Sequence, residues 1–195
     1  MVVVTGIPGV GKTTVLNELV ALAKQNKFNL TVLNFGTIMN GIMRDLGKDL
    51  HRDDMRRQNL EMQKKVQELA ASEIASRAGQ GTAVIDTHMF IRTSSGMWAG
   101  LPEKVLERLS PQLLVLVEAN PEHIAARRRS DIDRKREGSL AEEIAFDLAW
   151  SRAIAAASAV MTGAPVKVIR NDDGKQKEAA QELLEVIRRA VEGHA

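Results

Sequence analysis

Short runs of aliphatic and β-branched residues alternate along the chain with longer stretches whose apolar positions recur every three or four residues. The runs Val2–Thr5, Leu30–Asn34, Ala83–Asp86, Leu113–Glu118 and Val166–Arg170 predict five strands. Most are continuously apolar instead of alternating in and out, as strands covered on both faces are. Between them, Lys12 to about Gln25 carries Val15, Leu19 and Leu22 on one helical face. Arg52–Arg77 does the same with Met55, Met62, Val66 and Leu69, and Lys175–Glu192 with Ala180, Leu183, Leu184, Ile187 and Val191. Such alternation predicts an α/β fold with a parallel sheet between helical layers. Polar turns are expected at Gly79–Gly81, Thr93–Gly96 and Asn171–Gly174. The helix expected from about Ser139 to Thr162 is apolar over much of its circumference. It is therefore either buried on two sides or covered by another subunit.

Composition narrows the class. A length of 195 residues suits one domain, and 44% hydrophobic with 27% charged residues excludes bulk disorder. Six aromatic residues and no tyrosine leave an aliphatic core and a poor platform for stacking single-stranded nucleic acid. The absence of cysteine excludes disulfides, thiol catalysis and cysteine-ligated zinc, and fits a reducing compartment. Uninterrupted runs of Val, Leu, Ile and Met stop at about five residues, against the roughly 20 of a membrane span. The first residues have neither a basic segment nor a long apolar one. These features predict a soluble, cytoplasmic protein that makes no use of a membrane.

The chemistry starts at the first turn. Gly6-Ile7-Pro8-Gly9-Val10-Gly11-Lys12-Thr13 satisfies G-x-x-x-x-G-K-[ST] in full, with an apolar strand before it and an amphipathic helix after it. Glycines let backbone N–H groups line a concavity, and the helix start adds the positive end of its dipole. Lys12 is placed for β- and γ-phosphates and the Thr13 hydroxyl for Mg²⁺; Thr14 completes the cradle. A carboxylate at the end of a neighbouring strand is expected near the metal. Asp86 is the better candidate, acting directly or through water, because a polar run follows it. Glu118 precedes Asn120-Pro121, which has the look of a helix start, so a cap or surface residue is the ordinary alternative there.

A phosphate loop does not name a reaction. No Asn-Lys-x-Asp run is present, against a GTPase, and the chain is short for a motor or helicase. From Arg127 to Arg136 six basic residues meet two acids, a local +4 on a chain whose net charge is only +2. Arg127, Asp131 and Arg134 share one helical face; Arg129, Asp133 and Arg136 share another. Arginines of this kind neutralise charge on a phosphoryl group in transfer. The ordinary alternative is a solvated, salt-bridged helix end. Nucleic acid is the less favoured partner, since no aromatics are interleaved.

Over nearly its whole length the chain resembles the archaeal-type adenylate kinases, a branch of the nucleoside monophosphate kinases. The runs that carry the resemblance are GIPGVGKTT (6–14), NFGT (34–37), HRDDMR (51–56), VIDTHMFIRT (84–93), GMWAGLP (96–102) and RRRSDIDRKRE (127–137). The resemblance implies a single domain over residues 1–195 with a three-layer P-loop fold and five parallel strands in the order 2-3-1-4-5. It implies transfer of the γ-phosphate of MgATP to AMP, giving two ADP. Residues 6–14 would hold ATP, and Asn171–Gly174 would border its adenine. Helices at about 35–78 would bind AMP through Phe35, Gly36, Thr37 and Arg56, joined by Thr87, His88 and Arg92. Arg127, Arg134 and Arg136 would act from a short lid at about 127–138. A homo-oligomer is implied too, a trimer, with the Ser139–Thr162 helix and Trp150 at its contact.

The chain departs from the family pattern at Arg92, where lysine is common, and at Met97 and Ala99, where tyrosine and proline are usual. Acceptor-pocket shape is the part these changes touch. His88 is expected as polar lining and not as a base, because a phosphate monoester is already a nucleophile at neutral pH. Trp98 is expected in a loop over the acceptor. Two further readings stay open: a P-loop kinase for another monophosphate or small acceptor, and a nucleotide-dependent RNA or protein assembly factor with slow ATPase activity.

Overall fold

The computed structural model describes residues 1–47, 60–79, 81–93, 96–130 and 141–193. Strands β1 (Val2–Thr5), β2 (Leu30–Asn34), β3 (Thr82–Asp86), β6 (Leu113–Glu118) and β7 (Val166–Arg170) form one parallel sheet in the order β2-β3-β1-β6-β7. With the sheet's strands counted in chain order this is 2-3-1-4-5, as expected. The helices are α1 (Lys12–Gln25), α2 (Phe35–Asp45), α3 (Leu60–Arg77), α4 (Glu103–Leu109), α5 (Pro121–Ser130), α6 (Ala141–Thr162) and α7 (Gln176–Glu192).

Parity along the strands sorts the core into two layers. Val2, Val4, Val84, Val115 and Val117 face α1, α5 and α7. Val3, Ile85, Leu114 and Leu116 face the other way, toward α2, α3 and α4. Every strand of the sheet's centre is thereby covered on both faces, which explains why β1, β3 and β6 are continuously apolar. Helix α6 serves both layers, with Ile144 and Leu148 in one and Ala155 in the other.

Two features differ from expectation, and a third bears on the two alternatives left open for α6. Phe90–Thr93 (β4) and Gly96–Ala99 (β5) pair antiparallel as a separate hairpin, so Trp98 lies on a strand opposite Ile91, not in a loop. Each half is only four residues, too short to show periodicity, and the strands are stabilised by each other. Helix α4, of seven residues, escapes periodicity for the same reason. Helix α6 is buried on one side only: Ile144, Leu148, Ser151, Ala155 and Ser158 are inward, while Phe146, Trp150, Val160 and Met161 are exposed on the single chain. Among the described residues α6 alone is long and apolar enough to cross a bilayer, by length and composition. Its inward face nevertheless carries the buried Asp147, and the exposed Arg152 of the same helix pairs with Glu118 of β6.

Candidate active site

Strand β1 ends at Thr5 and the chain turns through residues 6–11 before α1 begins. Gly11 has φ +80°, and Asn171 Nδ2 lies 2.5 Å from where a Cβ would stand, so only glycine fits there. The loop's carbonyls are engaged from outside. Arg128 Nε donates to the Pro8 carbonyl at 2.7 Å, and Arg127 Nη1 to those of Gly9 and Val10 at 3.4 and 3.2 Å. Asn171 Nδ2 also donates to Val10, at 2.7 Å, and His88 Nδ1 donates to Gly6 at 3.1 Å. With carbonyl oxygens drawn to α5, to the 171–174 turn and to His88, the loop keeps its N–H ends for an anion on the opposite side.

Lys12 opens α1 and forms an ion pair with Asp86 at the end of β3. Asn34, the last residue of β2, donates to Asp86 Oδ2 at 2.6 Å. The same Asn34 caps α2, its Oδ1 accepting from the Thr37 N–H at 2.8 Å and from the Thr37 hydroxyl at 3.0 Å. One amide thus ties the acid to the start of a helix on the next strand over. Parallel pairing of β2 with β3, which sets Asn34 opposite Asp86, makes this possible.

A cleft opens from Lys12 and Asp86 and holds about 860 Å³ of empty space, open to solvent. Helix α2 contributes Phe35, Gly36, Met39 and Met43; α3 contributes Met62, Gln63, Val66 and Gln67. Thr87 and His88 follow β3, and the hairpin side supplies Ile91, Trp98 and Gly100. One end is therefore charged and the other apolar, as in a site for a ligand that carries a phosphate on a flat ring system.

Most expected residues meet here. Lys12, Asp86, Phe35, Gly36, Thr87 and His88 line the one cleft. Thr37 is spent on the α2 cap. Arg92 is not among the lining residues: its Nε donates to Asp147 Oδ1 at 3.0 Å, Glu143 is 3.7 Å away, and the guanidinium lies over Phe146. Arg127 sits against the phosphate loop, and its Nη2 also donates to the Asn171 carbonyl at 3.1 Å and to Asp173. Thr13 and Thr14 lie exposed in the first turn of α1, and Ile7 is buried under the loop. Arg56, Arg134 and Arg136, with most of the expected lid, lie outside the described residues. Glu118 is neither cap nor surface residue: it is 1% exposed and paired by both oxygens to Arg152. Its hydrogen bonds raise the Arg152 pKa.

Sequence reasoning missed Asn34, Gln67, Arg128, Asp147 and Asn171's side chain. Asn34 had a signal, an N-cap residue between a strand and a helix. The others had none, because the hydrogen-bond partners of Gln67, Arg128, Asn171 and Asp147 (Gly100, Pro8, Val10 and Arg92) are more than 30 residues away. Burial pushes the Arg128 pKa below its ordinary value, against the pull of Asp147 and Glu143. At the edge of the site, the Asn120 N–H holds the Asp172 carboxylate below its usual range, helped by Arg170 and His123.

The donor set suits a metal that arrives with a nucleotide. Among the described residues no group of three His, Asp or Glu could hold an ion. Mg²⁺ bound to phosphates keeps its waters and asks for only one or two protein oxygens, which Asp86 and the Thr13 hydroxyl offer.

Residues 5–145 match a family described as "AAA domain". The adenylate kinase of Methanocaldococcus jannaschii is 42% identical over 188 residues, which is 96% of this chain and 98% of that one. That of Sulfurisphaera tokodaii is 41% identical over 186 residues, covering 93% and 96%. Among solved structures, a shikimate kinase from Acinetobacter baumannii in complex with shikimate aligns with a TM-score of 0.61 over 95% of this chain and 91% of its own. At 17% identity that likeness speaks for the fold alone. The phosphate loop, the five-stranded order and near-complete coverage by archaeal relatives agree: the chain belongs to the adenylate kinase family.

Proposed function

We propose that this protein transfers the γ-phosphoryl group of MgATP reversibly to AMP, giving two ADP. The observation that carries the reading is the single cleft running from the Lys12–Asp86 pair to an apolar end between α2, α3 and the hairpin. A nucleotide phosphate at the charged end and a base at the apolar end would set an acceptor oxygen beside the phosphate loop. Such transfer asks the protein for position and charge compensation, and for little covalent chemistry. An acceptor phosphate is a nucleophile without help, so no base is required, and His88 is occupied in any case by the Gly6 carbonyl. Lys12 would leave Asp86 for the phosphates, freeing the carboxylate for the waters of the incoming Mg²⁺. Arg127 and Arg128 hold the loop's shape, while Arg56, Arg134 and Arg136 are the sequence's candidates for gripping acceptor and transferring phosphates. In this reading α2 and α3 are the acceptor-binding part of one domain, and a chain without cysteine suits the cytoplasm.

ADP formation from MgATP with AMP, CMP, UMP, GMP or no acceptor tests the activity. Rapid turnover with AMP is expected; equal, slow turnover with and without an acceptor would instead favour the assembly-factor reading.

The exposed face of α6 supports a homo-oligomer. Phe146 and Trp150 stack at 6.1 Å between ring centroids, and Val160 and Met161 extend the apolar surface. Gel filtration of Trp150→Asp is expected to show a smaller particle than the unmodified protein; an unchanged elution volume would remove this face from the contact.

A further inference from the structure

Between the hairpin and the phosphate loop, one buried carboxylate is shared by two arginines. In the β4–β5 pairing Ile91 stands opposite Trp98, and both line the cleft. Side chains alternate along a strand, so Phe90 and Arg92 turn to the other face of the hairpin. Phe90 packs there against the core, and Arg92 reaches Asp147 of α6. Its Nε and Nη2 both donate to Asp147 Oδ1, the former at 3.0 Å. Asp147 is 4% exposed. Its other oxygen, Oδ2, faces Arg128 of α5, whose Nη2 is 3.8 Å away.

That distance is too long for a hydrogen bond. Arg128 Nη2 is buried and has no hydrogen-bond partner among the described residues. A buried cationic donor without a partner is drawn to a carboxylate beside it. Two contacts hold the pair apart. Arg92 holds the carboxylate from one side, and the Pro8 carbonyl holds Arg128 from the other, accepting from its Nε at 2.7 Å. Arg128 is also packed on the loop: its Cγ lies 3.0 Å from where a Cβ on Gly9 would stand. Burial lowers the Arg128 pKa, Asp147 and Glu143 oppose that, and the charge of Arg92 adds to it. The back of the hairpin, α6 and the phosphate loop are thus joined by three charged side chains.

We infer that Asp147 is a positioning residue that couples the hairpin to the phosphate loop, because Arg92 and Arg128 compete for its carboxylate. With Arg92 in place, Arg128 keeps its Nε on Pro8 and the loop keeps its shape. Without Arg92, the carboxylate turns to Arg128, the one guanidinium left beside it among the described residues, and draws it off Pro8. The acceptor half of the site therefore bears on the ATP half through a side chain that lines no part of the cleft. This rests on the cleft being the acceptor-nucleotide site.

The test is calorimetric titration of the protein with the Mg²⁺ complex of a β,γ-imido ATP analogue, which binds without being cleaved. Arg92→Met is expected to weaken the analogue about tenfold, the scale of one charge-assisted hydrogen bond. It should do so although the partners of Arg92, namely Asp147, Glu143 and Phe146, all lie on α6 and not on the loop. Asp147→Asn alone should weaken the analogue about threefold, because Arg128 loses a charge to which it is not hydrogen-bonded. In the double variant the loss should stay near threefold, because nothing remains at position 147 to draw Arg128 away. If Asp147→Asn does not fold, Asp147→Ser closes the same cycle. Two independent packing defects would instead multiply to about thirtyfold, and that result would overturn the inference. Full affinity in Arg92→Met would overturn it as well. Either result leaves the kinase reading standing. No binding of the analogue by the unmodified protein would overturn both.

Discussion

In the proposed reading the two halves of the site bind by different means. On the phosphate side recognition is done by backbone: a glycine-bearing loop whose carbonyls are fastened outward by Arg127, Arg128, Asn171 and His88. On the acceptor side it is done by side chains from α2, α3 and the hairpin, set on three separate stretches of chain. Phosphates are alike in every nucleotide, so a fixed nest of N–H groups serves them all. Bases differ at their edges, and telling them apart takes individual polar atoms placed in an apolar wall. The first arrangement is local in sequence and rigid. The second is assembled only when distant segments meet.

The strongest way to break this contrast is at Lys12, where the halves join. Lys12→Ala is expected to lower kcat about 10³-fold, because its charge does most as negative charge shifts toward the leaving oxygen. Steady-state kinetics with each substrate varied separate the cases. A rise in the KM for ATP with kcat preserved would show that Lys12 merely binds, and the assignment would fail.

Asn34 sharpens the comparison, because it belongs to both sides. Its Nδ2 holds Asp86 and its Oδ1 caps α2. Asn34→Asp retains a capping oxygen but replaces the donor with a second carboxylate facing Asp86. It should lower kcat about tenfold or more, in line with losses seen when the partner of a metal-side ligand is removed. The melting temperature should move little, since the cap is retained. Asn34→Ala loses both contacts and should melt lower as well, by the ~1 kcal/mol of a cap. If Asn34→Asp retains full kcat, then Asn34 is only a helix cap.

The same division decides what could be read from the sequence. The phosphate loop and the five strands were legible, because each depends on neighbours in the chain or on burial on both faces of a strand, whereas the strand order was expected only from the family resemblance. Asp86 was legible as a carboxylate closing a neighbouring strand, while the gathering of Phe35, Gly36, Thr87 and His88 around it was expected from the resemblance. Arg92 shows the limit. Its charge and its place after Asp86 suggested a phosphate contact, but the acid that holds it, Asp147, is 55 residues away on α6. Nothing in either local sequence announces the pair. Gln67 looks like any polar position on an amphipathic helix until the hairpin brings Gly100 against it. Trp98 was misplaced because two four-residue strands stabilise each other and neither is recognisable alone.

The smallest effect expected lies at the rim of the phosphate side, where the 171–174 turn meets α5. Asp172 Oδ1 accepts from the Asn120 N–H at 2.8 Å, just before α5 begins, with Arg170 3.4 Å away and His123 at 3.8 Å. Its folded pKa is depressed, chiefly by that N–H. The sign follows: the carboxylate adds stability above its unfolded pKa of about 3.9, and this is lost as pH falls through the lower folded value. Solvent reaches the side chain, so the charge contributes under about 1 kcal/mol. Asp172→Asn keeps an acceptor and loses the charge. Its melting temperature should lie slightly below that of the unmodified protein at pH 7, and the gap should narrow below the unfolded pKa and close once pH has fallen through the lower folded value, where both side chains are neutral. A gap of equal size at both pH values would assign the effect to packing of the turn. Because α5 and this turn hold the phosphate loop, any kinetic effect should appear in the KM for ATP and leave that for AMP unmoved.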